Sequence, residues 1–235
     1  MYREEEVSVK EIRALVKPSI ISFLMNWLLR GKFMHNPFVI NNIEKPDINA
    51  ITLAGETVLH RAIFLGRGDI VAVLLHHQAS LTIPDHNGLF PLHKAVNRVV
   101  REIPSFKEFF KESVELLLNN GADPNVQDFS GNTPLHFAAS KGLVKVAELL
   151  INKGAQVNAQ NKEGITPLSY AIKAAIQVKE AIVFKPIIHI LSKNGADATI
   201  QDCWGKSVLE DVLVNNRWHL LRDVPRHYPV SNPFS

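Results

Sequence analysis

Five segments of this sequence line up on a glycine: Gly55-Glu-Thr-Val-Leu-His60, Gly88-Leu-Phe-Pro-Leu-His93, Gly131-Asn-Thr-Pro-Leu-His136, Gly164-Ile-Thr-Pro-Leu-Ser169 and Gly205-Lys-Ser-Val-Leu-Glu210. The spacings between successive glycines are 33, 43, 33 and 41, so two intervals carry the bare period and two carry insertions of 10 and 8. A Gly-Ala pair stands ten residues before each of the last three, at Gly121-Ala122, Gly154-Ala155 and Gly195-Ala196. A phase held this closely points to one supersecondary unit stacked on copies of itself, because a unit of this size cannot bury its apolar surface alone.

Each position in the period has a physical reason. Thr133 is a favourable N-cap and Pro134 a favourable first helical residue, where its missing N–H is no loss. Leu135, Ala138 and Ala139 give a small apolar face that lets a neighbouring helix approach closely. Gly142 breaks that helix, and Val144 to Ile151 predict a second one with Val146, Leu149 and Leu150 turned inward. Gly154 suits the left-handed conformation that ends a helix. Ala155 to Gly164 is polar, with Val157 and Ala159 alternating as in a hairpin-like connection.

The tetrapeptide Thr133-Pro-Leu-His136, nearly complete at 57–60, 90–93 and 166–169, resembles the signature of the ankyrin repeat, whose unit is about 33 residues. The resemblance implies an all-α fold, an α-solenoid of stacked helix pairs whose loops project as β-hairpin fingers. It divides the chain into a helical cap or degenerate repeat over 1–45, about five repeats over 46–221, two of them with insertions between their helices, and an extended tail over 222–235. In the family the tetrapeptide histidine hydrogen-bonds between neighbouring repeats, a role that falls on His60, His93 and His136. Ser169 and Glu210 depart from the pattern, so the last two repeats are expected to be less regular. Phe90 replaces a capping threonine. Gln78 replaces the helix-ending glycine, where a left-handed backbone costs a non-glycine residue about 1–2 kcal/mol, so the first repeat is expected to end differently.

Glu5 to Val16 reads as an amphipathic helix and Pro18 to Arg30 as a very apolar one, together the expected N-terminal cap. The longest apolar stretch, Ile20 to Leu29, is broken by Ser22 and Asn26 and falls short of the roughly 20 residues a bilayer requires. The mixed charges of the first residues do not make a signal peptide, so the expected setting is cytoplasmic, or secretion into a host cell without a cleaved leader. The insertions, Asn97 to Phe110 and Lys173 to Phe184, should lengthen the helices or the turn between them. They are either tolerated loops or an enlarged rim for a partner.

Chemistry finds little purchase. A net charge of +3 over 235 residues gives no electrostatic case for nucleic acid. One cysteine, Cys203, excludes an internal disulfide and any multi-thiolate metal site. Of ten histidines, three belong to the repeat signature, and His76 and His77 are neighbours whose side chains should diverge on a helix. No metal spacing, phosphate-binding glycine loop or nucleophile with a paired base is visible, so no catalytic, cofactor or metal residues are assigned.

By resemblance, recognition falls on the concave side, made of the finger tips and the first helix of each repeat, and the expected partner is a protein bound by a monomer. The positions left free are Leu53 and Glu56 on the first finger, with Phe64 and Leu65 at the end of its helix. On the second unit they are His86, Asn87, Leu89 and Arg98. Phe129, Ser130, Asn132 and Lys141 follow on the third, Lys162, Glu163, Ile165 and Lys173 on the fourth, and Trp204 and Lys206 on the fifth. Phe129 and Trp204 stand where the family usually has polar residues, and exposed aromatics anchor interfaces; the alternative is that each folds back on its own finger. Leu53, Leu89 and Ile165 add apolar character, and Lys141, Lys162, Lys173 and Lys206 favour an acidic or mixed partner. Such a module serves an adaptor, a host-directed effector or an inhibitor that masks a partner, and a recognition module for an enzyme is the reading from another class. Asn49, Asn125 and Asn158 occupy equivalent finger positions whose ordinary role is to hydrogen-bond within the turn. By the same resemblance, Asn125 and Asn158 are candidate sites of asparagine hydroxylation, each with a leucine (Leu117, Leu150) eight residues upstream. Asn36-Pro37-Phe38 and Asn232-Pro233-Phe234 look like ligands of EH-domain adaptors.

Overall fold

The computed structural model describes residues 47–98, 104–177, 181–215 and 220. The cap expected over 1–45, the tail expected over 222–235 and both Asn-Pro-Phe motifs lie outside them. Between Ala122 and Asp123 the chain divides into two compact units. The first holds α1 (Val58–Phe64), α2 (Gly68–His76), α3 (Pro91–Arg98) and α4 (Pro104–Asn119). The second holds α5 (Pro134–Ser140), α6 (Val144–Asn152), α7 (Pro167–Gln177), a 3-10 turn (Ala181–Phe184), α8 (Lys185–Lys193) and α9 (Val208–Val214).

In each unit the helices form two layers. In the first, α1 packs on α3 and α2 on α4, while α1 meets α2 and α3 meets α4 within their repeats. In the second, α5, α7 and α9 stack in one layer and α6 and α8 in the other. The stacking follows from side-chain size. Leu135, Ala138 and Ala139 on α5 and Leu168, Ala171 and Ile172 on α7 are fully buried, as are Leu59, Ala62 and Ile63 on α1. Fully burying one such leucine or isoleucine contributes about 1.5–3 kcal/mol.

The insertions lengthen helices, in different ways. α4 runs for 16 residues where its counterparts α2 and α6 have 9. α7 extends to 11 residues against 7 in α5, and the 3-10 turn that follows packs against α7 and α8 with Phe184 buried. Residues 99–103 and 178–180 of the two insertions lie outside the described part.

One expectation about helix ends is overturned. Gln78 adopts φ 61°, and its N–H and that of Ala79 donate to Leu75 and Leu74. Gly154 and Ala155 close α6 with the same pair of bonds, to Ile151 and Leu150. The first repeat therefore ends like the others, because satisfying two orphan carbonyls outweighs the left-handed cost to a glutamine.

The fingers are hairpin-like turns as expected, each closed by a backbone bond from the residue three before the aligned glycine to the one just after it, as from the Asp128 N–H to the Asn132 carbonyl (3.0 Å). The described residues contain only two isolated bridges, Ile51 with Thr57 and Gln201 with Ser207. Each finger is also folded by one side-chain oxygen three residues before the aligned glycine. Asp128 Oδ1 accepts from the N–H groups of Ser130 (2.9 Å) and Asn132 (2.8 Å). Asp85, Asn161 and Asp202 do the same for the residues two and four positions on, and Thr52 does so with its hydroxyl. The aligned glycine then turns left-handed, and at Gly131 the next finger comes so close that a Cβ would lie 2.8 Å from the backbone nitrogen of Lys162.

Candidate functional site

The histidines lock neighbouring repeats together. His60 Nε2 donates to the Leu89 carbonyl (3.0 Å) and His136 Nε2 to the Ile165 carbonyl (2.9 Å), each 29 residues on. A carbonyl can only accept, so Nε2 carries the proton and Nδ1 accepts. At Nδ1 of His136 the donors are the Thr133 N–H (3.0 Å) and hydroxyl (2.9 Å). Burial, together with the Lys94 charge, holds the His60 pKa below its ordinary value despite the bond to Leu89. In the second repeat, Phe90 offers only its N–H to His93 Nδ1, at 3.3 Å, and the two rings lie 5.9 Å apart. In the fourth, the shorter Ser169 reaches only the Thr166 hydroxyl (3.0 Å). That finger is nonetheless folded like the others and accepts from the fifth through Cys203 N–H to the Glu163 carbonyl (2.8 Å), so the loss of histidine there brings no irregularity to the finger.

The finger asparagines have a different partner from the one expected. Asn125 accepts from the Gln156 N–H (2.8 Å) and donates to the Gly154 carbonyl (3.0 Å). Asn158 accepts from Asp197 and donates to Gly195, both at 2.9 Å, and Asn49 accepts from the Ser80 N–H. These amides join one repeat to the next instead of closing their own turn. An amide has both a donor and an acceptor to spend on the unpaired groups at the following helix end.

In the first unit, the sequence-predicted positions divide by what they touch. Leu53 is 73% exposed at the first finger tip, and His86 and Asn87 are exposed at the second. Glu56 is held by Lys94 (2.8 Å) and lies 3.6 Å from Arg61, and Lys94 also reaches Asp85 (2.7 Å). Burial alone would raise the Asp85 pKa, but the Lys94 ammonium and two backbone N–H groups hold it below the ordinary carboxylate value. Lys94 in turn is raised by its two carboxylates against the effect of burial. Arg98 sits 4.3 Å over the Phe64 ring, and Leu65 beside it is exposed. Leu89 is half-buried.

In the second unit, Phe129 is 61% and Trp204 64% exposed, so neither folds back on its finger. The tips stand in a row, joined by Lys162 N–H to the Ser130 carbonyl (2.9 Å) and by Cys203 N–H to the Glu163 carbonyl. Ser130, Lys162, Glu163 and Lys206 are exposed. Ile165 is a correction: its side chain is only 8% exposed, because the residue whose carbonyl meets His136 is drawn into the stack, so it offers no apolar surface. Asn132 accepts from Asn161 Nδ2 (2.9 Å) and the Tyr170 hydroxyl (3.2 Å) and is part of the floor. Burial and the nearby acids Glu163 and Asp128 raise the Tyr170 pKa. Lys141 is half-buried at the end of α5. Lys173 lies 3.9 Å from both Asp202 and Asp211, which cancels its contribution to a basic face.

Sequence reasoning missed the residue after each tetrapeptide. Arg61, Lys94, Phe137, Tyr170 and Asp211 stand at this position; Arg61, Lys94 and Tyr170 meet finger residues, and Asp211 meets Lys173 on α7. Four residues past the cap, about one helical turn, is the signal that could have found them.

A family model described as "Ankyrin repeats (3 copies)" matches residues 105–202, and one described as "Ankyrin repeat" matches residues 54–86, together more than half of the chain. The chain is an ankyrin-repeat protein. Its relatives are widely spread. It is 34% identical over 125 residues to the ankyrin repeat protein YahD of Escherichia coli (strain K12), a match spanning 48% of this chain and 60% of that one. It is 35% identical over 97 residues to human BCL-6 corepressor-like protein 1, covering 41% of this chain and 5% of the relative. With human inversin it shares 34% identity over 94 residues, 39% of this chain and 8% of inversin. The chain thus spans less than two thirds of these relatives' lengths. Ankyrin repeats generally mediate protein–protein interaction. Among the described residues no helix is long and apolar enough to cross a membrane, and no cluster of three or more metal-ligating side chains forms. His76 and His77 do not diverge as expected; their rings meet edge to face at 5.3 Å.

Proposed function

We propose that this ankyrin-repeat chain is a non-enzymatic binding module that holds a protein partner on its finger tips and on the exposed ends of its first helices. The observation that carries the reading is the exposure of Phe129 and Trp204, 61% and 64%, in one unit whose finger tips are joined to one another by backbone hydrogen bonds. Large rings held on rigid turns are anchors that lose little conformational entropy on binding. The same surface serves an adaptor, a host-directed effector or an inhibitor, which differ in what the captured partner can still bind. The test is affinity capture from eukaryotic lysate with the native chain and with a Phe129→Ala/Trp204→Ala double variant shown to be folded by circular dichroism. A partner held by the native chain and lost by the variant supports the reading. A partner held equally by both moves the site away from these rings. Adding a second ligand of the captured protein then separates adaptor from inhibitor, since only an inhibitor competes.

The reading includes Asn125 and Asn158 as hydroxylation sites. Their amides are engaged with the next repeat, so a modifying enzyme must catch an opened finger. Peptide mass spectrometry of protein made in human cells tests this, and unmodified peptides at both positions would remove it.

A further inference from the structure

We infer that the finger tips of the second unit take an extended peptide segment with an apolar residue at each end and two opposite charges between them; this rests on the protein-binding reading above and gives its partner a chemistry. Backbone bonds set the order of the tips. The Lys162 N–H donates to the Ser130 carbonyl, and the Cys203 N–H to the Glu163 carbonyl. Along the row therefore stand Phe129 on the third finger, Lys162 with Glu163 on the fourth, and Trp204 on the fifth. All four are exposed, and neither Lys162 nor Glu163 forms an ion pair among the described residues. The row is apolar at both ends and carries one charge of each sign at its centre.

The polar groups beneath the row are already used. Asp128 spends one oxygen on two backbone N–H groups and the other on Asn132 Nδ2. Asn161 spends its oxygen on the N–H groups of Glu163 and Ile165, and its amide nitrogen on Asn132 and Tyr170. Recognition is thus left to the tips. The two rings favour apolar or aromatic side chains. An ammonium beside a carboxylate favours an acid and a base together, because two charges of one sign would each time set one of them against its like. The spacing is set by the helices that follow the fingers: α5, α7 and α9 stack in one layer, and packed helices lie about 8–10 Å apart, so the outer tips are separated by about 16–20 Å. An extended chain rises about 3.3 Å per residue and turns every second side chain to one face. Four alternate residues, apolar, acidic, basic and apolar, therefore span about 20 Å and meet the three tips in turn.

The probes are fluorescein-labelled Phe-Ser-Glu-Ser-Lys-Ser-Phe, its forms with two glutamates or two lysines at the centre, and the rearranged Glu-Ser-Phe-Ser-Phe-Ser-Lys, titrated against the full chain by anisotropy. The first should bind about two- to tenfold tighter than each of the others, the scale of exposed ion pairs, and its margin over the single-sign forms should shrink as salt rises. Lys162→Glu should shift the preference to the two-lysine form, and Glu163→Lys to the two-glutamate form. Lys206, also exposed on the fifth finger, lies outside the centre, so Lys206→Glu makes the same change in net charge as Lys162→Glu and should leave the mixed form preferred. A single-sign or rearranged form that binds as well as the first, a Lys206→Glu variant that behaves like Lys162→Glu, or no binding of any peptide would overturn this inference. Captured proteins held equally by the Phe129→Ala/Trp204→Ala variant would instead overturn the reading it rests on.

Discussion

Three glycines with the same sign of φ should respond very differently to alanine. Gly131 (φ +79°) and Gly205 (φ +73°) hold the same position on the third and fifth fingers, and Gly154 (φ +92°) ends α6. Alanine at any of them carries the left-handed cost of about 1–2 kcal/mol, reduced by about 0.4–1 kcal/mol because alanine restricts the unfolded chain. At Gly154 and Gly205 a Cβ would meet nothing within 4 Å, so this is the whole effect. At Gly131 it would lie 2.8 Å from Lys162 N and 3.2 Å from Asn161 Cα and C, which are backbone and cannot rotate away. The fourth finger must retreat, stretching the 2.9 Å bond from Lys162 to Ser130. Such overpacking adds about 1–3 kcal/mol. In thermal melts followed by circular dichroism, Gly154→Ala and Gly205→Ala should therefore lower the midpoint by a few degrees, and Gly131→Ala by at least about twice as much, at roughly 2–4 °C per kcal/mol. Equal losses at Gly131 and Gly205 would show that backbone strain alone sets the cost, and the argument from finger contact would fail.

Gln78→Gly relieves a left-handed glutamine and should stabilise the fold by about 0.5–1 kcal/mol once the looser unfolded chain is set against the relief, raising the melting midpoint; a lower midpoint would refute it. His60 has a lowered pKa in the folded state, so the unfolded chain binds its proton first and the stability His60 contributes is full above its ordinary value of 6.5. That contribution is lost as pH falls from there through the folded pKa. Melts between neutral and mildly acidic pH should show this loss, and His60→Gln should flatten the slope; an unchanged slope would assign it to other groups. Asn158→Ala removes two bonds to the next repeat and should cost about 1–2 kcal/mol in urea titrations. Asn158→Asp, which keeps the acceptor but faces the Gly195 carbonyl with a second oxygen, should do no better than alanine.

The repeat was legible because its signals are local and phased. A capping threonine, a proline at the first helical position and a glycine at the end each act within one turn of helix, and α5 and α6 fall where those signals place them. What escaped notice depends on contacts about one repeat away. Nothing near Asn125 in sequence says that its amide reaches Gly154, and nothing near Ile165 says that its carbonyl is claimed by His136 and its side chain buried. Gln78 was misjudged because a local cost was weighed without the two carbonyls that its conformation satisfies. The finger acceptors Thr52, Asp85, Asp128, Asn161 and Asp202 share the glycine phase, so that signal was present in the sequence but hidden by differing residue types.

Those differing types follow a rule that joins the finger to the helix beneath it. The turn uses one oxygen of the finger residue, and whatever its second atom needs is supplied nearby. Nine residues after Asp85 stands Lys94, with its ammonium 2.7 Å from the carboxylate; nine residues after Asn161 stands Tyr170, whose hydroxyl accepts from the amide. On these two fingers a carboxylate pairs with an ammonium and an amide with a phenol, whereas Asp128, with Phe137 at that interval, accepts from Asn132 Nδ2 instead. Asp202 has Asp211 at the same interval, and there Lys173 stands between the two acids. The rule predicts coupling. Lys94→Tyr alone leaves Asp85, whose side chain is 1% exposed, without its counter-charge and should be destabilising by several kcal/mol at most, about 3–5 being the range for a broken buried pair. Asp85→Asn alone keeps the turn but strands part of the ammonium's pairing, which Glu56 still shares. The double variant rebuilds the pair found on the fourth finger and should recover about 0.5–3 kcal/mol of the summed losses. Strict additivity in the double-mutant cycle would mean that the two residues are neighbours without being partners.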